Sequence, residues 1–211
     1  IMSEVTKTPK LATCDRGSFF GAMLECCQLG LEPGAGLGHI YLIPYKGKAK
    51  IIIGYQGMVE LAERNGRVTV DADVVYERDE FDYCRGLNPN ITHRPFYGDE
   101  DPGKVIGAYA IARYEDGRGK FRFVSHLEIE QARKRAQTDN VWSSFYSEMA
   151  RKTAIRRLFK IIPKSPEMAR VQELEDAEES GKPQKLLYKD SVLTIPDETT
   201  PESEIVEPPK N

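Results

Sequence analysis

The chain has 211 residues, 40% of them hydrophobic and 30% charged, with a formal net charge of −3, which allows one well-buried core in an ordinary soluble globular protein. Its longest apolar runs are as short as Ile51-Ile52-Ile53, far below the roughly 20 residues a bilayer-crossing helix needs, and residues 1–10 are too polar for a signal peptide. The four cysteines, Cys14, Cys26, Cys27 and Cys84, show no C-x-x-C spacing, which speaks against a zinc knuckle or a disulfide framework and for a reducing cytoplasm.

Along the chain, Asp15 is placed to N-cap a helix over 16–29, stopped by Gly30, with Phe19, Met23 and Cys26 on one side. Two strands, 39–46 and 49–55, flank a tight turn at Gly47-Lys48, with Lys46, Lys48 and Lys50 around it. A second helix over about 57–64 ends at Asn65-Gly66. Val68, Val70, Ala72 and Val74 then alternate with Thr69, Asp71 and Asp73 as a strand, and residues 81–84 are expected to pair back on it. Residues 105–114 and 120–125 make another hairpin across Asp116-Gly117-Arg118-Gly119. Ser125 and Glu128 have the spacing of a capping box, opening a helix through Arg133, Lys134 and Arg135. Strands joined by short turns and covered by helices give the fold class α+β, an antiparallel sheet with helices on one face.

The run from Phe145 to Lys160 reads as a helix whose charged and apolar residues separate by face. Lys152, Arg156 and Lys160 recur every four residues, a row stepping about 6 Å at a time, with Arg157 beside it and Ala154, Ile155, Leu158 and Ile162 opposite. A charged row is often only a solvated face, but such faces carry mixed signs. Between 148 and 164 six cations face the single anion Glu148 in a chain of negative total charge, and that excess favours a polyanion, above all nucleic acid. Arg151 projects onto the apolar side, so it either pairs with a buried acid, contacts a neighbouring subunit or snorkels, with a structural role ranked first. Residues 171–211 hold 11 acids and 4 bases, with Pro183, Pro196, Pro201, Pro208 and Pro209. The expected organisation is thus a basic body over 1–170 and a flexible acidic tail over 171–211, a linker or docking arm. Leu186-Leu187-Tyr188 within it is either a docking motif or an incidental apolar cluster.

A search for chemistry finds little. Gly34 to Gly38 is glycine-rich but lies between a helix and a strand, the reverse of a dinucleotide site, and no G-x-x-x-x-G-K-[ST] exists, so nucleotide use is unsupported. His39, His93 and His126 lack ligand spacing. Asp71 with Asp73, or Glu128 with Glu130, offers the raw material of a metal-dependent nuclease, although alternating acids on a strand usually mark its wet face. No catalytic residue, metal or cofactor is expected.

Several segments resemble one family. Leu29-Gly30-Leu31-Glu32-Pro33-Gly34, Gly38-His39-Ile40-Tyr41-Leu42-Ile43-Pro44-Tyr45, Ile53-Gly54-Tyr55-Gln56-Gly57-Met58-Val59-Glu60-Leu61 and the stretch from Glu148 to Lys160 look, in this order, like the signature of the RecT family of phage single-strand annealing proteins. More distantly, Gly54-Tyr55-Gln56-Gly57 and Lys152 to Arg156 resemble the turn and basic helix of the eukaryotic Rad-type annealing rings, which nominates Tyr55, Lys152 and Arg156; the chain as a whole is also distantly similar to Redβ. The resemblance implies ATP-independent annealing of complementary strands, with strand exchange, by a homo-oligomer forming rings or helical filaments in the cytoplasm of a bacterial host. Implied partners are single-stranded DNA, annealed duplex, a 5′–3′ exonuclease and the host single-strand-binding protein. Two features depart from the family: Val141 stands before Trp142 where proline is common, and the usual longer N-terminal segment is expected to precede Ile1.

Annealing requires a strand to be held by its phosphates with base edges free. Lys152, Arg156, Arg157 and Lys160 suit the floor of such a groove, Lys46, Lys48 and Lys50 an opposite wall, and Arg113, Arg118, Lys120 and Arg122 an extension, divided between strand faces by alternation. Tyr55 and Trp142 either stack on bases or plug the core. The competing readings are a metal-dependent nuclease and an RNA-binding monomer.

Overall fold

The computed structural model describes residues 2–34, 36–64, 66–136, 140–180, 182, 184 and 186. Helix α1 (Met2–Lys7) and a 3-10 turn (Pro9–Thr13) lead into α2 (Arg16–Leu29), where the Asp15 carboxylate accepts from the Ser18 N–H and Gly30 closes the helix at a φ of 60°. The strands β1 (Ile40–Tyr45) and β2 (Lys48–Ile53) follow, with Tyr45 opposite Lys48. The turn is therefore Lys46-Gly47, one residue earlier than the spacing predicts. Both residues have positive φ, 49° and 75°, as a two-residue hairpin turn matched to strand twist requires. Helix α3 (Tyr55–Glu63) starts directly after Gly54, so Tyr55 is helical rather than the end of a strand. The reason is a close approach: a Cβ on Gly54 or Gly57 would collide with the carbonyl oxygens of Gly38 and His39. The two glycines let the start of α3 rest on that backbone.

Strands β3 (Val68–Tyr76), β4 (Glu80–Cys84), β5 (Asn90–Arg94), β6 (Val105–Tyr114) and β7 (Gly119–Ser125) precede α4 (His126–Arg135), α5 (Asn140–Ser144), α6 (Tyr146–Phe159) and α7 (Pro166–Glu179). The α+β class and the antiparallel pairing hold, with the strands distributed over three sheets: β1-β2, β3-β6-β7 and β4-β5. Strand β4 does not pair back on β3 as expected; its partner is β5, in the register Phe81 to His93. That hairpin meets the three-stranded sheet through rings, with Phe81 and Tyr83 at 5.0 and 4.7 Å from Phe123. Beneath them His93 bridges Asp79 (3.0 Å) and the Tyr109 hydroxyl (3.1 Å). On the other face Ala108, Ala110 and Ala112 are wholly buried. These small side chains let α6 lie close on the sheet with its own Ala150 and Ala154.

The capping box at Ser125 and Glu128 opens α4 as predicted. Helix α7 was not foreseen. Ser165 caps it and Pro166 occupies its first turn, while Met168, Val171 and Leu174 are buried in the core. The boundary expected after residue 170 thus falls inside a packed helix, because its apolar residues continue at helical spacing across that point. Beyond it the Gln184 side-chain amide bonds both the N–H and the carbonyl of Ile51 (3.2 and 2.8 Å), and Leu186 packs on the core. Leu187, Tyr188 and the rest of the expected tail lie outside the described residues. No helix among the described residues is long and apolar enough to cross a membrane.

Candidate nucleic-acid interface

Helix α6 carries the cation row on the flank away from the sheet, as the four-residue spacing predicts. No acid was foreseen opposite it, yet α7 supplies one for every member. Lys152 Nζ lies 3.0 Å from Glu175, the Arg156 guanidinium 3.5 Å from Glu175 and 3.6 Å from Asp176, and Lys160 Nζ 3.9 Å from Asp176. Glu175 is only 5% exposed. A carboxylate so placed is tolerated because two cations answer it. The hairpin joins the same flank, since Lys50 pairs with Glu178. Residues a hundred positions apart thereby converge on one side of α7.

Arg157 leaves the row. It turns toward α4, in a groove lined by Ala132, Thr153, Arg156, Arg157 and Lys160. The last turn of α4 adds Arg133, Lys134 and Arg135 to the basic end of that helix. No carboxylate lies within ion-pair distance of Arg157 among the described residues.

At the hairpin tip Lys46 and Lys48 are exposed. The ammonium groups of Lys46 and Lys50 stand 5.3 and 5.2 Å from the centre of the Tyr45 ring, near enough for a cation–π attraction. The Asp15 N–H donates to the Gly47 carbonyl at 2.8 Å. That bond fixes the tip against the start of α2 and brings exposed Arg16 beside it, a cation that no local spacing ties to a hairpin some thirty residues further on. Tyr55 is partly buried against the core. Burial first, then the carboxylate of Glu148 in the first turn of α6, pushes its phenol above the ordinary value.

The second hairpin divides its cations. Lys120 and Arg122 pair in register with Ala112 and Ala110, on the α6 side of the sheet, and Lys120 Nζ donates to the Ile161 carbonyl just past α6 (2.8 Å). Arg113 belongs to the opposite face. Arg118 is in the turn, paired with Asp116 at 2.6 Å. The structure therefore brings Lys50, Lys152, Arg156 and Lys160 together, sets Arg157 beside them and Lys120 against the end of α6, puts Arg122 on the α6 side of the sheet, and leaves Arg113 and Arg118 apart.

Two further residues are settled by their surroundings. Arg151 reaches past the edge strand β3 to Asp73 (2.9 Å) and also holds Glu148 (2.8 Å); its expected acid exists, but at the sheet edge rather than in the core. Trp142 is 3% exposed and packs edge-on against Tyr146, so it plugs the core. Asp73, one half of the carboxylate pair considered for a nuclease, gives the same oxygen to Arg151 and to the Val74 N–H. Among the described residues no three His, Cys, Asp or Glu side chains are grouped to hold a metal ion.

Comparison with known proteins adds the following. A family model described as the RecT family matches residues 1–186. Protein RecT of Escherichia coli (strain K12) is 41% identical over 187 residues, covering 83% of this chain and 69% of that protein. The uncharacterized protein YqaK of Bacillus subtilis (strain 168) is 24% identical over 157 residues, covering 74% of this chain and 55% of the relative.

Proposed function

This chain belongs to the RecT family, and we propose that it is a recombination protein that binds single-stranded DNA by its backbone and anneals complementary strands without a nucleotide cofactor. The observation that carries the reading is the convergence of Lys50 from β2 with Lys152, Arg156 and Lys160 from α6 on one flank of the molecule. Cations from two distant segments gathered on one flank, where Lys50, Lys152 and Arg156 are 13, 12 and 20% exposed and paired with carboxylates of α7, make a track for phosphates once those carboxylates yield, and Arg157 continues it toward α4. Lys and Arg groups contact phosphates without reading bases, so the edges stay available to a second strand. Tyr55, at the start of α3 and partly exposed, adds a ring for stacking. Repetition along a strand by a homo-oligomer, as a ring or filament, multiplies weak contacts through avidity.

Pairing of two complementary oligonucleotides, followed without ATP at several salt concentrations and imaged by electron microscopy, tests the reading. Accelerated pairing, weakened steeply by salt and accompanied by strand-dependent assemblies, is the expected outcome. Strands that are cut, or bound without being paired, would overturn it in favour of a nuclease or a simple binding protein.

A further inference from the structure

Helix α7 carries its acids where a helix is least suited to them. Its last turn contains no base and lies at the negative end of the helix dipole, where carboxylates destabilise and cations stabilise. The compensation comes from outside the helix: Glu175 rests on Lys152 and Arg156, Asp176 on Arg156 and Lys160, and Glu178 on Lys50. The preceding turns are held by different means. Met168, Val171 and Leu174 are at most 3% exposed, and Arg170 grips the buried Glu25 through two bonds of 2.6 and 2.8 Å. The change from apolar anchoring to charge pairing falls between Leu174 and Glu175.

We propose that residues 175–180, the C-terminal turn of α7, form a carboxylate clasp that closes the basic surface and is displaced by local unwinding when the phosphates of a strand take Lys50, Lys152, Arg156 and Lys160. The inference rests on the reading of those cations as a DNA surface. Strand and clasp compete for the same donors, so both cannot be satisfied at once. Once Lys152 and Arg156 turn to phosphate, Glu175 would be a buried carboxylate without partners, and it must leave for water. The dipole then favours fraying of the turn that follows. Leu174 and the Arg170–Glu25 pair hold the chain before the clasp and the Gln184–Ile51 bonds with Leu186 hold it after, so opening costs one turn rather than the helix. A lone phosphate cannot replace three tethered carboxylates, whereas a continuous strand can, because each further contact releases counterions. The clasp therefore makes the surface selective for extended polyanions over nucleotides and isolated phosphate.

Two measurements on the full chain with oligothymidylate decide it. Neutralising the clasp with Glu175→Gln, Asp176→Asn and Glu178→Gln together is expected to tighten binding at least about tenfold at moderate salt, since an intramolecular competitor is removed. Amide hydrogen exchange on the unaltered chain needs no substitution: saturating oligothymidylate is expected to speed exchange at residues 178–180 and leave residues 171–174 unchanged. Unchanged or slower exchange at 178–180 in a chain that binds overturns the clasp alone, whatever the variant does, and so does a folded variant that binds no tighter. A chain that binds no oligothymidylate overturns the DNA reading, and the clasp with it.

Discussion

Two groups of cations in this chain, a paired region and an open region, are made of the same side chains under different constraints. Lys50, Lys152, Arg156 and Lys160 each meet a carboxylate of α7. Lys46, Lys48, Arg122 and Arg157 meet none among the described residues. In the first region the cations also hold the fold together, so a change there is felt in stability; in the second, charge is available to a ligand at little structural cost. A run of Lys and Arg in a sequence does not distinguish the two. What distinguishes them is whether an acid from elsewhere in the chain is brought within reach.

The sharpest break between the regions is expected at Lys152. Lys152→Ala takes the nearer partner from buried Glu175 and should cost about 2–4 kcal/mol in urea denaturation, in addition to weakening DNA binding. If stability were unchanged, the pairing with α7 would not be structural. Asp79 provides a control on the far face of the sheet. Burial raises its carboxyl, but the N–H groups of Tyr76 and Phe96 together with His93 outweigh that and hold it below the usual range. A depressed folded value means that the stabilisation is complete at neutral pH and is lost as pH falls through that value. Asp79→Asn should therefore lower stability by about 1–3 kcal/mol, flatten the acid limb of the stability profile and leave DNA affinity alone; a loss of affinity would extend the interface to the β4-β5 side.

The open region should behave in the opposite way. Arg157→Ala is expected to leave stability within about 0.5 kcal/mol, while weakening oligothymidylate binding about three- to tenfold and making the salt slope shallower by roughly 0.7, the value for one lost phosphate contact. The smallest effect is expected at the hairpin tip. Lys46→Asn creates the Asn-Gly pair that suits positive φ at both positions, so stability should hold or rise by a few tenths of a kcal/mol as affinity falls slightly. An unchanged affinity would remove the tip from the interface.

How much of this was legible in the sequence depended on range. Local signals held: the Asp15 cap and Gly30 stop of α2, the Ser125–Glu128 capping box, the hairpins, and the spacing that puts Lys152, Arg156 and Lys160 on one flank are all written within a few residues. The hairpin turn was displaced by one residue because Lys46, a residue type uncommon at positive φ, occupies it. Long-range partners were hidden. By composition the acids of α7 belong to a proline-containing tail, although Ser165, Pro166 and the spacing of Met168, Val171 and Leu174 mark a capped amphipathic helix. The pairing of β4 with β5 instead of β3 is hidden because an alternating pattern fixes a face and not a partner. For Arg151 an acid partner was one of three legible alternatives, but Asp73, 78 positions away, was not legible.

The most direct measurement is the affinity of the chain for oligothymidylate as a function of salt, before and after Lys152→Glu with Arg156→Glu, with circular dichroism confirming that the variant is folded. The expected result is a steep salt dependence in the unaltered chain and a loss of about a hundredfold or more in the variant, since reversed charges repel the phosphates they replaced. A folded variant that binds as tightly as the unaltered chain, with the same salt slope, would contradict the central claim that the α6 row meets DNA.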